Sequence, residues 1–372
     1  MPDKSINIAR SLGCAATVLL ALSAPVAAQD WKAELDRTVA AANKEGTLVI
    51  NSQPNQAARD FLTHEFSKAY PEIKLSMSVL PPGQFILRVR NEQQTNNYLW
   101  DVALAGPPSG FALAKEGALD PVQPEFIAPD IKSPDTWDGW DSAFIDAQGK
   151  YVFAMSKYIA GPWYDALRIP QEKVAQLGMK VLLDPAYKGK VIWHDPTEPG
   201  SGTSYGYLVN QKLGDDGLKQ LIVDQKVTFV AQQFQVVEAM ARGTAWIGMG
   251  PPVRSLIAPY AQAGIKTDIR TFGTSSEVAL EGVGGSGLFI FKNRPHPNAT
   301  KVFINWLLSK QVQHDMAVAL DQDSRRQDLT SIAQSDSIPV KGAKYVTPQR
   351  EDSASAVEAT LKRIADDRKL SQ

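Results

Sequence analysis

The sequence predicts an α/β protein with two lobes, each a mostly parallel sheet flanked by helices, and a hinge between the lobes. Helical and strand patterns alternate almost throughout the chain, which is typical of sheets covered by helices on both faces. The alternating elements fall into two groups, residues 30–150 and 165–270. The chain has 372 residues, whereas single hydrophobic cores rarely grow beyond about 250–300 residues.

The first 28 residues have the layout of a secretory signal peptide. Lys4 and Arg10 are basic, residues 12–24 are apolar, and Val26-Ala27-Ala28 places small residues at the −3 and −1 positions of a cleavage site. The apolar run is shorter than the roughly 20 residues that span a bilayer. We therefore expect cleavage after Ala28 and an exported, soluble mature protein. An ordinary apolar N-terminal helix is the alternative.

Composition and charge narrow the possible partners. Cys14 is the one cysteine and lies inside the predicted signal peptide, so the mature chain would have no disulfide framework and no cysteine-based metal or nucleophile site. The formal net charge is −1. A near-neutral surface argues against nucleic acid or an anionic membrane as the main partner.

The elements of the first group follow from periodicity and helix-breaking residues. A helical stripe of apolar residues starts at Trp31 and stops at Gly46, a natural C-terminal cap. The next helix must end before Pro71, because proline disfavours a helical conformation in the residue before it. Apolar and polar residues alternate over 73–79, which predicts a strand with one covered face. Further elements are a strand over 47–50, a helix over 81–96, a strand over 101–105, and loops with short helical turns over 120–150.

The second group repeats the alternation, and the chain ends in helices. We predict strands over 151–160, 190–193, 227–230, 245–249, 269–272 and 287–291, and helices over 171–177, from 201, from 297, and over 353–367.

These elements divide the chain into four segments. They are a signal peptide (1–28), an N-terminal lobe (29–160, completed by about 271–310), a C-terminal lobe (161–270) and a helical segment that packs on the lobes (311–372). In open α/β sheets, ligands bind at the carboxyl ends of the strands. Two lobes would bring both sets of strand ends to one cleft, which suits capture by hinge closure.

Several segments carry a further signature when their order and spacing are taken together. They are Trp31 with Ala42 and 44–50, Phe66 with Tyr70-Pro71 and 72–74, Trp100-Asp101-Val102, the Asp-Pro and Tyr-Lys-Gly segment over 183–191, and Glu281-Gly282 with 287–292 and 296–309. They resemble the bacterial family 1 extracellular solute-binding proteins along nearly the whole mature chain, and the ferric-iron, phosphonate and thiamine branch in particular.

The resemblance implies a periplasmic binding protein of the type II fold. Such a protein delivers a small-molecule ligand to an ABC permease in the inner membrane, and we expect it to be a monomer without a cofactor. Presentation of the ligand to a sensor kinase is an alternative that the sequence leaves open.

The nature of the ligand depends on where the chain departs from that branch. Iron binders of the branch carry adjacent tyrosines just after the strand equivalent to 245–249, because phenolate oxygens suit the hard ferric ion. This chain has Gly250-Pro251-Pro252-Val253-Arg254 there and no adjacent tyrosines anywhere. Its four histidines show no metal-ligand spacing. We therefore expect no metal ligands and keep ferric iron, bound with a synergistic anion, as the second candidate.

An anion site is the first candidate. Arg254 could grip a carboxylate, phosphonate or sulfonate with two hydrogen bonds, although a solvated arginine on a helix is the simpler interpretation. Ser201-Gly202-Thr203-Ser204 opens a helix, where free N–H groups and the helix dipole favour anions. A plain helix cap is the alternative there.

Further ligand contacts are predicted near the other strand ends. Ser52 and Gln53 follow the first strand, and Pro107 and Ser109 follow the strand over 101–105, although such residues often only turn the chain. Trp163 could stack on a ligand ring, with core packing as the alternative. The complete set of predicted ligand residues is Ser52, Gln53, Pro107, Ser109, Trp163, Ser201, Gly202, Thr203, Ser204, Pro251 and Arg254.

An enzyme is the competing class. Gly200-Ser201-Gly202 is shorter than the Gly-x-Ser-x-Gly nucleophile elbow of a hydrolase, and the one stretch with that spacing, Gly202-Thr203-Ser204-Tyr205-Gly206, lies at the predicted start of a helix. The adjacent carboxylates Asp215-Asp216 and Asp366-Asp367 point to different faces of their helices and cannot form a catalytic pair. We therefore predict no catalytic residues.

Overall fold

The computed structural model describes residues 24–52, 55–197, 201–250, 253–283, 287–320, 322–332 and 338–371. Most of the predicted signal peptide, residues 1–23, lies outside this part of the chain. The first described helix begins at Ala24 and continues to Glu45, so it passes the predicted cleavage site at Ala28 without a break. Among the described residues, no helix is both long and apolar enough to cross a bilayer.

Strands and helices alternate through the described chain as the sequence predicts. The strands are β1 (Thr47–Ser52), β2 (Lys74–Ser78), β3 (Val102–Ala105), β4 (Leu119–Asp120), β5 (Phe153–Ala154), β6 (Tyr158–Ala160), β7 (Trp163–Asp165), β8 (Val191–His194), β9 (Thr228–Val230), β10 (Ile247–Met249), β11 (Ile269–Thr271), β12 (Leu280–Gly282) and β13 (Gly287–Phe291). The α-helices are α1 (Ala24–Glu45), α2 (Gln56–Ala69), α3 (Pro82–Gln94), α4 (Pro107–Lys115), α5 (Pro129–Lys132), α6 (Trp140–Ala143), α7 (Gln171–Leu177), α8 (Gly202–Lys219), α9 (Gln233–Ala241), α10 (Val253–Gln262), α11 (Pro297–Leu307), α12 (Lys310–Leu320) and α13 (Ala354–Leu370).

The first sheet has the strand order β2-β1-β3-β13-β4, with β5 also paired to β13. β1 is parallel to β2 and β3, whereas β13 is antiparallel to β3, β4 and β5. Leu48 and Ile50 of β1 face a core that also contains Phe66 of α2 and Phe303 of α11. The opposite face of the sheet packs against α3 and α4, through residues such as Phe85.

The second sheet has the order β11-β7-β10-β8-β9. β8 is parallel to β10 and β9, and β7 is antiparallel to β10 and β11. Both sheets are therefore mixed. The predicted parallel pairing holds for the strands that are linked through helices, and antiparallel strands are added where the chain crosses between the lobes. α8 covers one face of this sheet and α9 the other.

The two crossings form a separate two-stranded sheet, in which β6 and β12 pair antiparallel. The chain passes from β5 in the first lobe through β6 to β7 in the second, and returns from β11 through β12 to β13. The strand predicted over 151–160 is therefore two strands, because residues 155–157 carry the chain out of the first sheet. Gly282 lies against the ring of Tyr158, and a Cβ atom there would lie 2.1 Å from that ring.

The C-terminal helices pack on different lobes. α12 packs on α2 in the first lobe and α13 on α8 in the second. Between these helices, Ser324 bridges to Ser156, and Val346 bridges to Leu280 of β12. The last part of the chain therefore runs along the crossing strands before it reaches the second lobe.

Candidate functional site

The carboxyl ends of the parallel strands in both sheets lie where the chain crosses between the lobes. In the first sheet, the end of β3 pairs with the start of β13 at Ala105 and Gly287, and Gly287 also pairs with Ala154 at the end of β5. In the second sheet, the end of β10 pairs with the start of β7, at Gly248 and Trp163. β6 leads from the end of β5 to the start of β7, and β12 lies between β11 and β13. The edge of the first sheet at Gly287 and the edge of the second sheet at Trp163 therefore border one interlobe cleft.

The start of α8 is fixed at the cleft edge of the second lobe. The backbone N–H of Gly202 donates to Nδ1 of His194 at 3.2 Å, and Nε1 of Trp193 donates to the carbonyl oxygen of Gly202 at 3.2 Å. A Cβ atom on Gly202 would lie only 2.1 Å from the carbonyl oxygen of His194. Glycine is therefore required here by close backbone approach, and His194 serves as a helix cap.

Two hydroxyl groups of the predicted anion site make bonds within the protein. Thr203 Oγ1 donates to the carbonyl oxygen of Pro196 at 2.7 Å, which ties the turn after β8 to α8. Ser201 Oγ accepts from Nε2 of Gln233 at 3.2 Å. Because a hydroxyl has one proton and two lone pairs, the proton of Ser201 is still available for another acceptor. Ser201 also makes no side-chain capping bond to α8.

Asp195, directly after β8, is held in an ion pair. Nη1 of Arg368 lies 2.8 and 2.9 Å from its two carboxylate oxygens, and Thr197 donates to it through its backbone N–H and its hydroxyl. Burial raises the pKa of Asp195, but the hydrogen bonds from Thr197 and Arg368 outweigh burial and leave the pKa below its ordinary value. This carboxylate is therefore ionised and neutralised by an arginine at neutral pH.

The first lobe contributes neutral groups to its cleft edge. Asn51 Oδ1 accepts from the backbone N–H of Leu80 at 3.1 Å, which connects the ends of β1 and β2. Ser52 is 1% exposed, and its hydroxyl has no hydrogen-bond partner within the described residues. Pro107 and Ser109 are buried in the first turn of α4. A buried hydroxyl without a partner is costly, so Ser52 is a candidate ligand contact.

Trp163 and two tyrosines form the base of the second lobe's edge. The indole of Trp163 packs with Ile192 in the core beneath α9 and lies beside the hydroxyl of Tyr205. That hydroxyl donates to the carbonyl oxygen of Gly161 at 3.0 Å. Burial raises the pKa of Tyr205 and of its neighbour Tyr158. Both phenols are therefore protonated at neutral pH, and Trp163 supports the connection between the lobes.

Three predicted site residues cannot be placed. Gln53 and Pro251 lie outside the described residues. The backbone of Arg254 lies in the first turn of α10, which follows β10. The side chain of Arg254 is not among the described parts of the chain. The structure brings Ser201, Gly202, Thr203, Ser204 and Trp163 to one edge and Ser52, Pro107 and Ser109 to the other.

Sequence reasoning missed the residues that fix this edge. Gln233 and Arg368 act through partners 32 and 173 positions away, and no local pattern marks them, whereas His194 caps a helix that begins eight positions later. In the described segments, no group of three or more His, Cys, Asp or Glu side chains is arranged to hold a metal ion. Two cavities lie away from the cleft. One, of 640 Å³, lies beside Trp31 of α1, and the other, of 160 Å³, lies beside Lys157 behind the crossing strands.

The chain is similar to several solved structures over almost their whole length. Iron-bound HitA from Pseudomonas aeruginosa is 17% identical, with 86% of this chain and 99% of that chain covered and a TM-score of 0.60. AfuA from Actinobacillus pleuropneumoniae, with fructose-6-phosphate bound, is 18% identical, with 87% and 99% covered and a TM-score of 0.56. An ABC transporter protein from Clostridium perfringens is 14% identical, with 86% and 99% covered and a TM-score of 0.65.

These identities are low, so the likeness establishes the fold, which is the two-lobed type II periplasmic binding fold. No functionally curated protein is detectably similar to the chain in sequence. A family model described as bacterial extracellular solute-binding protein matches residues 62–322, well over half of the chain. The chain therefore belongs to the bacterial extracellular solute-binding protein family.

Proposed function

We propose that this solute-binding protein of an ABC transporter captures a small organic anion in its interlobe cleft, in the periplasm, and delivers it to the membrane permease. The family and the similar structures are binding proteins rather than enzymes, so we assign binding roles and no catalytic residue. Closure about β6 and β12 would bury the ligand between the two edges. We expect one copy of the chain to bind one ligand.

The fixed start of α8 is the observation that carries the proposal. The first turn of α8, which is regular from Gly202 to the kink at Gly214, carries a partial positive charge of about half an elementary charge. Asp195, the nearest described carboxylate in sequence, is neutralised by Arg368, so it does not oppose an anion there. The hydroxyl proton of Ser201 supplies a donor, and Arg254 on α10 supplies a guanidinium on the same lobe.

An exposed aromatic side chain beside Ser201 favours an organic ligand over inorganic phosphate. Phe234 follows Gln233, which donates to Ser201, and its side chain is 57% exposed. The start of α9 is rigid, because Gln232 and Gln235 cap it reciprocally. We infer that Phe234 lies at the rim of the cleft, where the apolar part of a ligand would cover it on closure.

Ferric iron is the second candidate, because HitA, one of the similar structures, is iron-bound. Ferric iron prefers anionic oxygen ligands. Burial raises the pKa of Tyr158 and of Tyr205, which makes it harder for either phenol to lose its proton to a metal, and the described residues carry no group of three or more His, Cys, Asp or Glu side chains arranged to hold a metal ion. We therefore keep ferric iron as the second candidate, after an organic anion.

Arg254→Ala tests whether the guanidinium of Arg254 binds the anionic group of the ligand. We expect it to weaken the binding of a small acid by about 1.5–3 kcal/mol, the size of a hydrogen bond to a charged group. Isothermal titration with whichever of phenylphosphonate, benzoate and phosphate binds the wild type most tightly measures the change. Arg242→Ala is the matched control, because Arg242 is an exposed arginine paired with Glu238 at the opposite end of α9. Equal affinities in the two variants would remove Arg254 from the site.

A further inference from the structure

The short turn Glu351–Ser353, which leads directly into helix α13, is attached to the first lobe. The backbone N–H of Glu351 donates to the carbonyl oxygen of Ile145 at 2.9 Å, and Oε2 of Glu351 accepts from the N–H of Ala147 at 2.8 Å. Nζ of Lys115 lies 2.9 Å from the other carboxylate oxygen. Arg350 adds a bond from Nη1 to the carbonyl oxygen of Asp141 at 2.7 Å. The beginning of α13 is thus tied to three separate elements of the first lobe.

The body of α13 lies on the second lobe. Ile364 is fully buried in the core that contains Trp193 and Tyr205. Its Cδ1 lies 2.9 Å from where a Cβ atom on Gly206 would be, so the absence of a side chain at Gly206 allows α13 to approach α8 closely. The helix therefore cannot move independently of the first turns of α8.

The far end of α13 reaches the cleft edge. Arg368 forms the ion pair with Asp195, and its guanidinium lies 4.4 Å from the ring centroid of Phe229. Asp195 accepts a hydrogen bond from the backbone N–H of Thr197, and the carbonyl oxygen of Pro196 accepts one from the hydroxyl of Thr203. Arg368 therefore fixes the turn after β8, and through it the first turn of α8.

We propose that α13 is a strap that couples the angle between the lobes to the geometry of the α8 edge, with Arg368 as a positioning residue and Glu351 as the first-lobe anchor. The coupling of the lobes by α13 does not depend on the proposed function. Its effect on ligand affinity, through the α8 edge, does rest on the proposed function. Glu351 and Arg368 are 17 positions apart, which at helical rise corresponds to about 25 Å, so the two ends cannot contact each other. A rigid helix fixed at both ends limits how far the lobes can rotate about β6 and β12.

Interlobe distances measured without ligand test the strap directly. The mature chain would have no native cysteine, so nitroxide labels can be placed at Gln84→Cys on α3 and Ala231→Cys before α9, both exposed positions. Double electron–electron resonance then gives the distribution of distances between the two labels in the full mature chain. We expect Glu351→Ala and Arg368→Ala each to broaden the distribution and shift its mean.

The double variant is decisive, because distant independent sites have additive effects. If both ends act through one strap, the effect of losing the second end depends on the first, and Glu351→Ala/Arg368→Ala should broaden the distribution by less than the sum of the two single changes, with Ile364 still holding the body of α13 on the second lobe. Arg368→Lys should restore part of the wild-type distribution, and Lys362→Ala on the exposed face of α13 should leave it unchanged. Unchanged distributions in the single variants, even with lowered melting temperatures, or additive changes in the double variant, would overturn the strap. Neither result depends on whether an anion binds.

Discussion

Gly202→Ala should remove ligand binding and lower the free energy of unfolding by about 1–3 kcal/mol, the usual cost of forcing extra atoms into a packed site. The added methyl group would lie 2.1 Å from the carbonyl oxygen of His194 and 2.9 Å from that of Asp195. Both are backbone atoms, so the clash cannot be relieved by rotating a side chain. The first turn of α8 must move, and the bond from Gly202 to His194 is lost with it.

Urea unfolding and isothermal titration on the same preparations measure both effects. Gly83→Ala is the matched control, because it also lies in the first turn of a helix and a Cβ atom there has no neighbour within 4 Å. That control should be neutral or slightly stabilising, since alanine favours helices by up to about 1 kcal/mol over glycine. A Gly202→Ala protein as stable as the control would show that α8 does not depend on this approach.

Arg325→Met should cost about 3–5 kcal/mol of stability, the range found when one partner of a buried ion pair is removed. The Arg325 side chain is fully buried. It donates from Nη2 to Glu281 of β12 at 2.8 Å and from Nη1 to Ser142 at 2.9 Å, and its backbone N–H donates to Met155. Methionine conserves much of the volume but leaves the Glu281 carboxylate without its partner beside the crossing strands.

A second substitution separates lost charge pairing from lost packing. Arg325→Met/Glu281→Leu removes both charges and should recover a large part of the stability, because apolar replacements of buried pairs are often neutral. Arg90→Met breaks an exposed pair with Glu116 and should cost less than about 1 kcal/mol. Urea unfolding followed by tryptophan fluorescence compares the three variants. A cost for Arg325→Met no larger than that for Arg90→Met would contradict a structural role for Arg325 at the crossing.

Local patterns predicted most of the fold. The strand over 287–291 and the helix over 171–177 match the structure residue for residue, because their periodicity and flanking breakers are local. The predicted strand over 151–160 did not account for the crossing, since the direction of a chain between two lobes is a tertiary property. The predicted domain boundaries and ligand residues stay predictions.

Long-range polar pairs could not be predicted from one sequence. His296 occupies the N-cap position of α11, but its ring makes no capping bond to the helix. Its Nδ1 and its backbone N–H each lie 2.8 Å from a carboxylate oxygen of Asp101, a fully buried residue 195 positions earlier in the chain. Arg368 and Asp195 are 173 positions apart. Charged residues at such separations have many possible partners, and only the fold selects one.

The central claim, that the protein binds a small organic anion, is tested most directly by measuring the thermal stability of residues 29–372, the predicted mature chain, with and without each member of a ligand panel. The protein is first unfolded and refolded to remove any bound ligand, and then mixed with phenylphosphonate, benzoate, phosphate, sodium citrate or ferric citrate. A ligand at 100 times its dissociation constant adds about 2.7 kcal/mol of stability. The account predicts a rise with an organic acid, a smaller one with phosphate, and no additional rise with ferric citrate over sodium citrate. A rise with ferric citrate alone would contradict it and establish iron as the solute.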